Sequence, residues 1–244
     1  MARRKGQDID GILLLDKSEG MSSNFALQQA RRHLDAKKGG HTGTLDPFAT
    51  GLLICCFGKA TKICATMLDA DKSYLATLKL GVETDSGDLT GIATKENIDI
   101  VPEIDSIMSA INKYTGQIEQ IPPMHSALKK DGKPLYKYAR EGIEIERSPR
   151  KVTIFNIQLI KYEYPNLILH INCSKGTYIR TLAQDIGRDL GCFAHLEALR
   201  RTSVGPFDIK NSITLGDFKD LKQPVDVLIS LSELPVELVP IKTI

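Results

Sequence analysis

Val152-Thr153-Ile154-Phe155-Asn156-Ile157-Gln158-Leu159-Ile160-Lys161-Tyr162, then Glu163-Tyr164-Pro165-Asn166, then Leu167-Ile168-Leu169-His170-Ile171-Asn172-Cys173, is the stretch that decides the fold class. Two segments rich in β-branched and aliphatic residues flank a short turn carrying proline and asparagine, which reads as an antiparallel strand pair. Working outward, 178–190 reads as a helix, 74–80 as an alternating strand, 104–114 as a helix and 117–121 as a short strand closed by Pro122-Pro123. Towards the N-terminus, 9–15 is an aliphatic strand. Ser22 or Ser23 caps a helix running to about Leu34, with Phe25, Leu27, Ala30 and Leu34 as its apolar face. Residues 36–47 form a Lys/Gly-rich loop, 52–57 a buried strand or short helix, and 60–68 and 134–140 helices. The βαβ alternation of a parallel sheet is not sustained, so the expectation is an α+β fold with a mixed, mainly antiparallel sheet flanked by helices.

The chain has 244 residues, 42% hydrophobic and 25% charged. That length means one large domain or two small ones, with enough interior to fold without staples. The composition excludes a disordered chain, a collagen and a membrane bundle. The longest apolar run, 52–57, is far too short to span a bilayer. The basic start, Met1-Ala2-Arg3-Arg4-Lys5, leads into no apolar signal core, so the expected location is the cytoplasm. Cys55, Cys56, Cys64, Cys173 and Cys192 contain no C-x-x-C pair and read as reduced, buried thiols, in keeping with that compartment. The five histidines show no ligand spacing, so no metal site is expected.

The formal net charge is only +2, but it is unevenly spread. Within 125–151, eight Lys or Arg face four Asp or Glu, a surplus of four positive charges interleaved with Tyr136 and Tyr138. From Asp208 onward four lysines face six acids. A basic, aromatic segment suits a phosphate backbone, although a solvated face has the same composition.

Two polar clusters interrupt the apolar pattern. In His41-Thr42-Gly43-Thr44-Leu45-Asp46-Pro47-Phe48-Ala49-Thr50-Gly51 the Asp-Pro step is a good helix N-cap, and on residue types alone the cap is the favoured reading. The gathering of His, two Thr and Asp in a loop between apolar elements exceeds that structural role. Gly51 and Gly58-Lys59 do not make a phosphate-binding loop, because six residues separate them and Ala60 stands where a hydroxyl is required. In the second cluster, Lys175-Gly176-Thr177-Tyr178-Ile179-Arg180, Thr177 is an apparent N-cap and Arg180 sits in a first helical turn, where the helix dipole disfavours a cation. Such an arginine calls for an anionic partner, either a phosphate or a carboxylate such as Asp185 or Glu197. Glu83, Asp85 and Asp88 hint at a calcium loop but lack its twelve-residue pattern, so a hydrogen-bonded turn is expected there.

Four blocks, taken in order, resemble the TruB-type family of bacterial tRNA pseudouridine-55 synthases. They are Gly11-Ile12-Leu13-Leu14-Leu15-Asp16-Lys17 with Gly20-Met21-Ser22-Ser23; Gly40 to Pro47 continuing through Gly58-Lys59-Ala60-Thr61-Lys62; Lys72-Ser73-Tyr74 with Leu80-Gly81 and Thr84-Asp85; and Lys175 to Arg180 with Leu199-Arg200-Arg201. The resemblance covers about residues 9–207 and implies a pseudouridine synthase catalytic domain there, with a mobile basic, thumb-like insertion at about 124–151. Residues 208–244 are then a short extension, acidic and carrying Pro224, Pro235 and Pro240, in place of the C-terminal PUA domain of longer relatives. Ser18 replaces a proline common in the first block.

By the same resemblance Asp46 is the essential carboxylate, Tyr74 the aromatic stacked on the target uracil, and Arg180 the ion-pair partner of Asp46. His41, Tyr178 and Leu199 match positions that hold the nucleotide, and Lys17 lies near the cleft. Breaking the N1–C1′ bond, turning the base and joining C5 to C1′ moves no electrons or groups in or out, so no cofactor is expected. The residues leave two routes open, attack of Asp46 on carbon or abstraction of a sugar proton. The expected partner is the T-stem-loop of tRNA, with the target uridine flipped from its stack and Lys129, Lys130 and Lys133 on the RNA backbone. No membrane and no obligatory protein partner are expected, and the chain is read as a monomer. Two rivals remain, a catalytically silent RNA-binding or RNA-folding protein and a guide-RNA-dependent pseudouridylase.

Overall fold

The computed structural model describes residues 6–234; the basic residues 1–5 and the end of the extension, with Pro235 and Pro240, lie outside them. The chain divides into two compact units, one of residues 1–73 and 200–244 and one of residues 74–199. In chain order, the first unit carries β1 (Gly11–Lys17), α1 (Ser23–His33), β2 (Gly39–His41), β3 (Thr50–Phe57), a 3-10 segment (Gly58–Ile63), α2 (Cys64–Leu68) and the first residues of β4 (Lys72–Leu80). The second carries the rest of β4, β5 (Val82–Thr84), β6 (Ala93–Glu96), α3 (Ile104–Lys113), β7 (Gly116–Gln120), β8 (Lys129–Lys130), β9 (Lys133–Pro134), α4 (Leu135–Arg140), β10 (Arg150–Glu163), β11 (Asn166–Cys173), α5 (Ile179–Asp189) and the start of β12 (Ala194–Val204). The chain then completes β12 in the first unit and adds β13 (Phe207–Asp208), β14 (Ile213–Thr214) and α6 (Leu215–Asp220).

The first unit is built on β1 and β3, which pair antiparallel from Gly11↔Phe57 to Lys17↔Gly51. β14 lies parallel to β1, β12 parallel to β3, and β2 antiparallel to β3. Both faces of β1 and β3 are covered. Leu13, Leu15, Leu53, Cys55 and Phe57 pack against Ala26, Leu27 and Ala30 of α1 and Leu215 and Phe218 of α6. Ile12, Leu14, Leu52, Ile54 and Cys56 pack against Ala60, Ile63 and Met67. A strand buried on both sides needs no alternation, which is why the run 52–57 reads equally as strand or helix in sequence and is a strand here. Much of the reading survives: Ser22 caps α1 by accepting from the Phe25 N–H, and 60–68 is helical, although its first part is 3-10. The loop 36–47 differs, since it contains β2.

In the second unit β4, β11, β10 and β7 lie side by side. The strand pair that decides the fold class is present, with Tyr162 opposite Leu167 and Glu163 opposite Asn166. Leu167, Leu169, Ile171 and Cys173 alternate into the core without interruption. In β10 the buried set runs Val152, Ile154, then Ile157, because a register irregularity after Ile154 shifts the phase by one residue. β7 and β10 are antiparallel with Gln120 opposite Arg150, so the segment 121–149 leaves the sheet and returns to the same point. It holds the β8–β9 hairpin and α4. The sheets are thus mixed and mainly antiparallel, as expected. Among the described residues no helix is long and apolar enough to cross a membrane.

Candidate active site

The polar block 41–51 is not a helix cap. Ala49 N–H donates back to Asp46 O in a turn, and the chain then enters β3, so the Asp-Pro step opens no helix. Three buried side chains distant in sequence hold this loop instead. Ser23, the first residue of α1, bridges Leu45 with two bonds, accepting from its N–H at 2.8 Å and donating to its carbonyl at 3.0 Å. Lys17, at the end of β1, donates from Nζ to Met21 O at 2.8 Å, Ser18 O at 2.9 Å and Pro47 O at 3.3 Å. Arg201 on β12, 1% exposed, donates from Nε to Leu52 O at 2.8 Å and from a terminal nitrogen to Gly43 O at 3.2 Å. Asp46 is left half-buried at the apex of a loop pinned on both sides.

Full burial of two cations beside this loop shapes its electrostatics. Burial pushes the Lys17 ammonium down to about 8; Asp46 and Glu19 pull the other way, and Arg201 adds to the lowering. A lysine whose folded value lies below its unfolded value of 10.5 is rejected in its charged form by the native state. Its contribution to stability therefore rises with pH between about 8 and 10.5. Replacing Lys17 by Met is expected to flatten that rise in denaturant unfolding. Because Asp46 holds the ammonium charged, Asp46→Asn should move the Lys17 titration to lower pH, read from its ε-carbon resonance; an unmoved midpoint would separate the two groups. His41, on β2, is held below the ordinary histidine value, first by burial and then by Arg201, and its buried Nδ1 has no hydrogen-bond partner among the described residues. It is a neutral imidazole at physiological pH, with a ring nitrogen to offer.

Lys17, His41 and Asp46 belong to the first unit; Tyr74, Tyr178, Arg180 and Leu199 belong to the second. Tyr74 lies on β4, 9% exposed, on the same side as Ala76, Leu78 and Leu80. Leu199 is buried on β12. Tyr178, not Thr177, is the N-cap position of α5, and it makes no side-chain cap; Thr177 Oγ1 instead donates to Ser174 O. Gln120 fixes Tyr178 from both sides, donating to its carbonyl at 3.3 Å and accepting from its N–H at 3.1 Å, while the Arg150 guanidinium lies 4.7 Å from the ring centre. Within this unit Arg180 is buried and donates to Asp88 at 3.2 Å, Ser86 O at 3.1 Å and His125 O at 2.6 Å, which replaces the pairing with Asp185 or Glu197. Asp88 in turn accepts from Ser86 Oγ, Thr90 N–H and Thr90 Oγ1. The acidic loop is the hydrogen-bonded turn expected, and among the described residues no His, Cys, Asp and Glu cluster could hold a metal ion.

The basic segment is partly self-neutralised. Lys133 pairs with Glu141 at 2.5 Å and lies over the Tyr138 ring, and Arg147 pairs with Glu144. Lys129, Lys130 and Lys137 are exposed, and no ion pair engages them among the described residues. Sequence reasoning passes over Gln120, and it places Ser23 only as a cap candidate, Asp88 only in a polar turn and Arg201 only in a motif block, with no part in holding the site. No local pattern singles out Arg201, which follows Arg200 in the mixed strand Ala194–Val204; its need for buried acceptors arises only from its burial.

Two family models match consecutive parts of the chain. The TruB family pseudouridylate synthase N-terminal domain matches residues 31–179, more than half of the chain, and the tRNA pseudouridylate synthase B C-terminal domain matches 180–236. The chain belongs to the TruB pseudouridylate synthase family. A relative from Bordetella avium, tRNA pseudouridine synthase B, is 57% identical over 242 residues, 98% of this chain and 99% of its own length. The same-named protein of Dechloromonas aromatica is 54% identical, matching 96% of this chain and 80% of its own. Among solved structures, a chain of a Cbf5-Nop10-Gar1 complex superposes on 93% of this TruB-family chain with a TM-score of 0.70 and 29% identity. A chain of an H/ACA RNP bound to a substrate RNA containing 2'-deoxyuridine matches 94% of it with a TM-score of 0.70 and 27% identity. This chain spans 58% and 62% of the lengths of those two.

Proposed function

We propose that this protein is a tRNA pseudouridine synthase that isomerises uridine-55 in the T-loop. The observation that carries the reading is the block around Asp46. A carboxylate is presented by a loop that Ser23, Lys17 and Arg201 pin from three elements, inside a chain that matches a tRNA pseudouridine synthase B over 99% of that relative's length. A pure binding surface for a polyanion has no use for a fixed carboxylate between buried cations.

In this reading the flipped uridine stacks on Tyr74, and His41, Tyr178 and Leu199 hold it. Asp46 is the carboxylate that acts at the ribose, with Arg180 as its counter-charge. N1–C1′ breaks, the base turns, C5 bonds to C1′, and the proton on C5 leaves as N1 gains one. The product is an isomer of the substrate, and no cofactor enters. The catalytic domain is 9–207, with 124–151 as its RNA-contacting insertion and 208–244 as an extension. The protein acts as a cytoplasmic monomer without a protein partner.

Release of tritium from C5-labelled uridine in an unmodified T-stem-loop tests the reaction directly, because that proton is lost only when C5 forms its new bond. Release by the purified chain alone is the expected result. No release would favour a silent RNA-binding role, and release only with added protein or guide RNA would favour a dependence on partners. The insertion makes a separate prediction. Reversing Lys129, Lys130 and Lys133 to Glu should weaken T-stem-loop binding and reduce the slope of log affinity against log salt by up to about two or three. An unchanged slope would remove these lysines from the RNA backbone.

A further inference from the structure

Positions 180, 184 and 188 lie four residues apart and so share one face of α5. Each grips a successive part of the segment 83–88, in which Glu83 and Thr84 end β5 and 85–88 form the loop. Arg180 holds Ser86 O and Asp88. Gln184 donates from Nε2 to Thr84 O at 2.9 Å. Arg188 binds Glu83 with two bonds, Nε to Oε2 at 2.6 Å and a terminal nitrogen to Oε1 at 3.0 Å. The segment descends as the helix ascends, rung against rung. Gly87, at φ +74°, seats the loop between the upper rungs, where an added Cβ would lie 3.1 Å from Gln184 Cδ and 3.3 Å from Arg180 Cβ.

We infer that Gln184 and the Glu83–Arg188 pair are positioning residues for Arg180, completing a three-rung clamp that fixes segment 83–88 against α5. The inference rests on the role proposed above for Arg180. A cation in a first helical turn is disfavoured by the helix dipole, so its orientation depends on acceptors outside the helix. Two of them, Ser86 O and Asp88, belong to a loop, and a loop holds side chains to a fraction of an ångström only if its own anchors are rigid. The Glu83 carboxylate is 5% exposed but the Arg188 side chain 45%, so the lower rung is a half-buried, two-bond, charge-assisted anchor; Lys95 lies 3.6 Å from the same carboxylate and Asp185 3.3 Å from the same guanidinium. Thr84 Oγ1, donating to Asp88 O at 2.8 Å, carries that anchorage up the loop to the residue that pairs with Arg180. The clamp thus connects Glu83 at its foot to Arg180 at its head without either touching the other.

The test uses the full chain and four variants, Glu83→Arg, Arg188→Glu, the two combined, and Gln184→Met. For each, the single-turnover rate on a T-stem-loop, the affinity for it and the Tm are measured. The single charge reversals are expected to slow the reaction by about tenfold, with affinity within about twofold of wild type. The combined reversal restores opposite charges across the rung but sets like charges against Lys95 and Asp185, so it should recover part of the rate. Gln184→Met, neutral and similar in volume, should cost about threefold, and it decides the matter if the charge reversals do not fold. In an Arg180→Lys background none of these changes should slow the reaction further by more than about twofold, because they act through Arg180. Wild-type rates in the variants below their Tm, or losses that multiply with that of Arg180→Lys, would reduce the clamp to a structural device and overturn the inference. A wild-type chain that releases no tritium would overturn the proposed function and this inference with it, whereas an active wild type with indifferent variants overturns the clamp alone.

Discussion

Asp46→Asn will lower the single-turnover rate of pseudouridine formation by at least about a thousandfold while T-stem-loop affinity stays within about tenfold. The substitution removes a charge and one basic oxygen and leaves the shape of the side chain. The anchors at Leu45, Pro47 and Gly43 all act on backbone atoms and survive the substitution. The loop therefore keeps its place, and the deficit falls on the chemical step. Contacts to phosphates position an RNA without depending on this carboxylate, so affinity is spared. Full turnover by the variant would remove Asp46 from the reaction. A loss of rate matched by an equal loss of affinity would make Asp46 a binding residue. The downward movement of the Lys17 titration, expected in the same variant, offers a check that does not pass through activity.

Gly51→Ala will be among the most destabilising methyl additions in the first unit. Gly51 has φ +103°, and an added Cβ would lie 2.3 Å from Arg201 O, 2.7 Å from Arg201 N and 3.0 Å from Arg201 C. All three atoms are backbone of the neighbouring parallel strand, where Arg201 stands opposite Gly51, so none can swing aside. Relief requires β3 and β12 to separate at the point from which Arg201 reaches Leu52 O and Gly43 O. The conformational strain alone costs about 1–3 kcal/mol, and the clash raises the total to roughly 4 kcal/mol or more. For a domain of this size that is a fall in Tm of roughly 10 °C. Gly20→Ala is the matched comparison, because Gly20 has φ +82° but no atom within 4 Å of the added methyl. If both variants melt alike, close approach of the strands is not what requires glycine at 51.

The strand pair 152–173 was legible because its pattern and its turn are complete within two dozen residues. The Ser22 cap of α1 was legible for the same reason, its bond to Phe25 spanning three positions. The run 52–57 was ambiguous because a residue buried on both faces of a sheet carries no period. The Asp46-Pro47 step was misleading, since good cap chemistry is a local preference and the pairing of β3 with β1, β2 and β12 overrides it.

By itself, then, the sequence determined the α+β class, the antiparallel pairing around Pro165, the basic character of 125–151 and, through its four blocks, the family. Only the tertiary structure decided what holds the chemistry in place. Arg201 meets Leu52 across 149 residues of chain, Arg188 meets Glu83 across 105, and Ser23 meets Leu45 across 22. Local patterns reflect energies settled among neighbours a few positions apart. A buried cation finds its acceptors only after the strands and helices that carry them have packed, and no spacing along the chain records which carbonyl that will be.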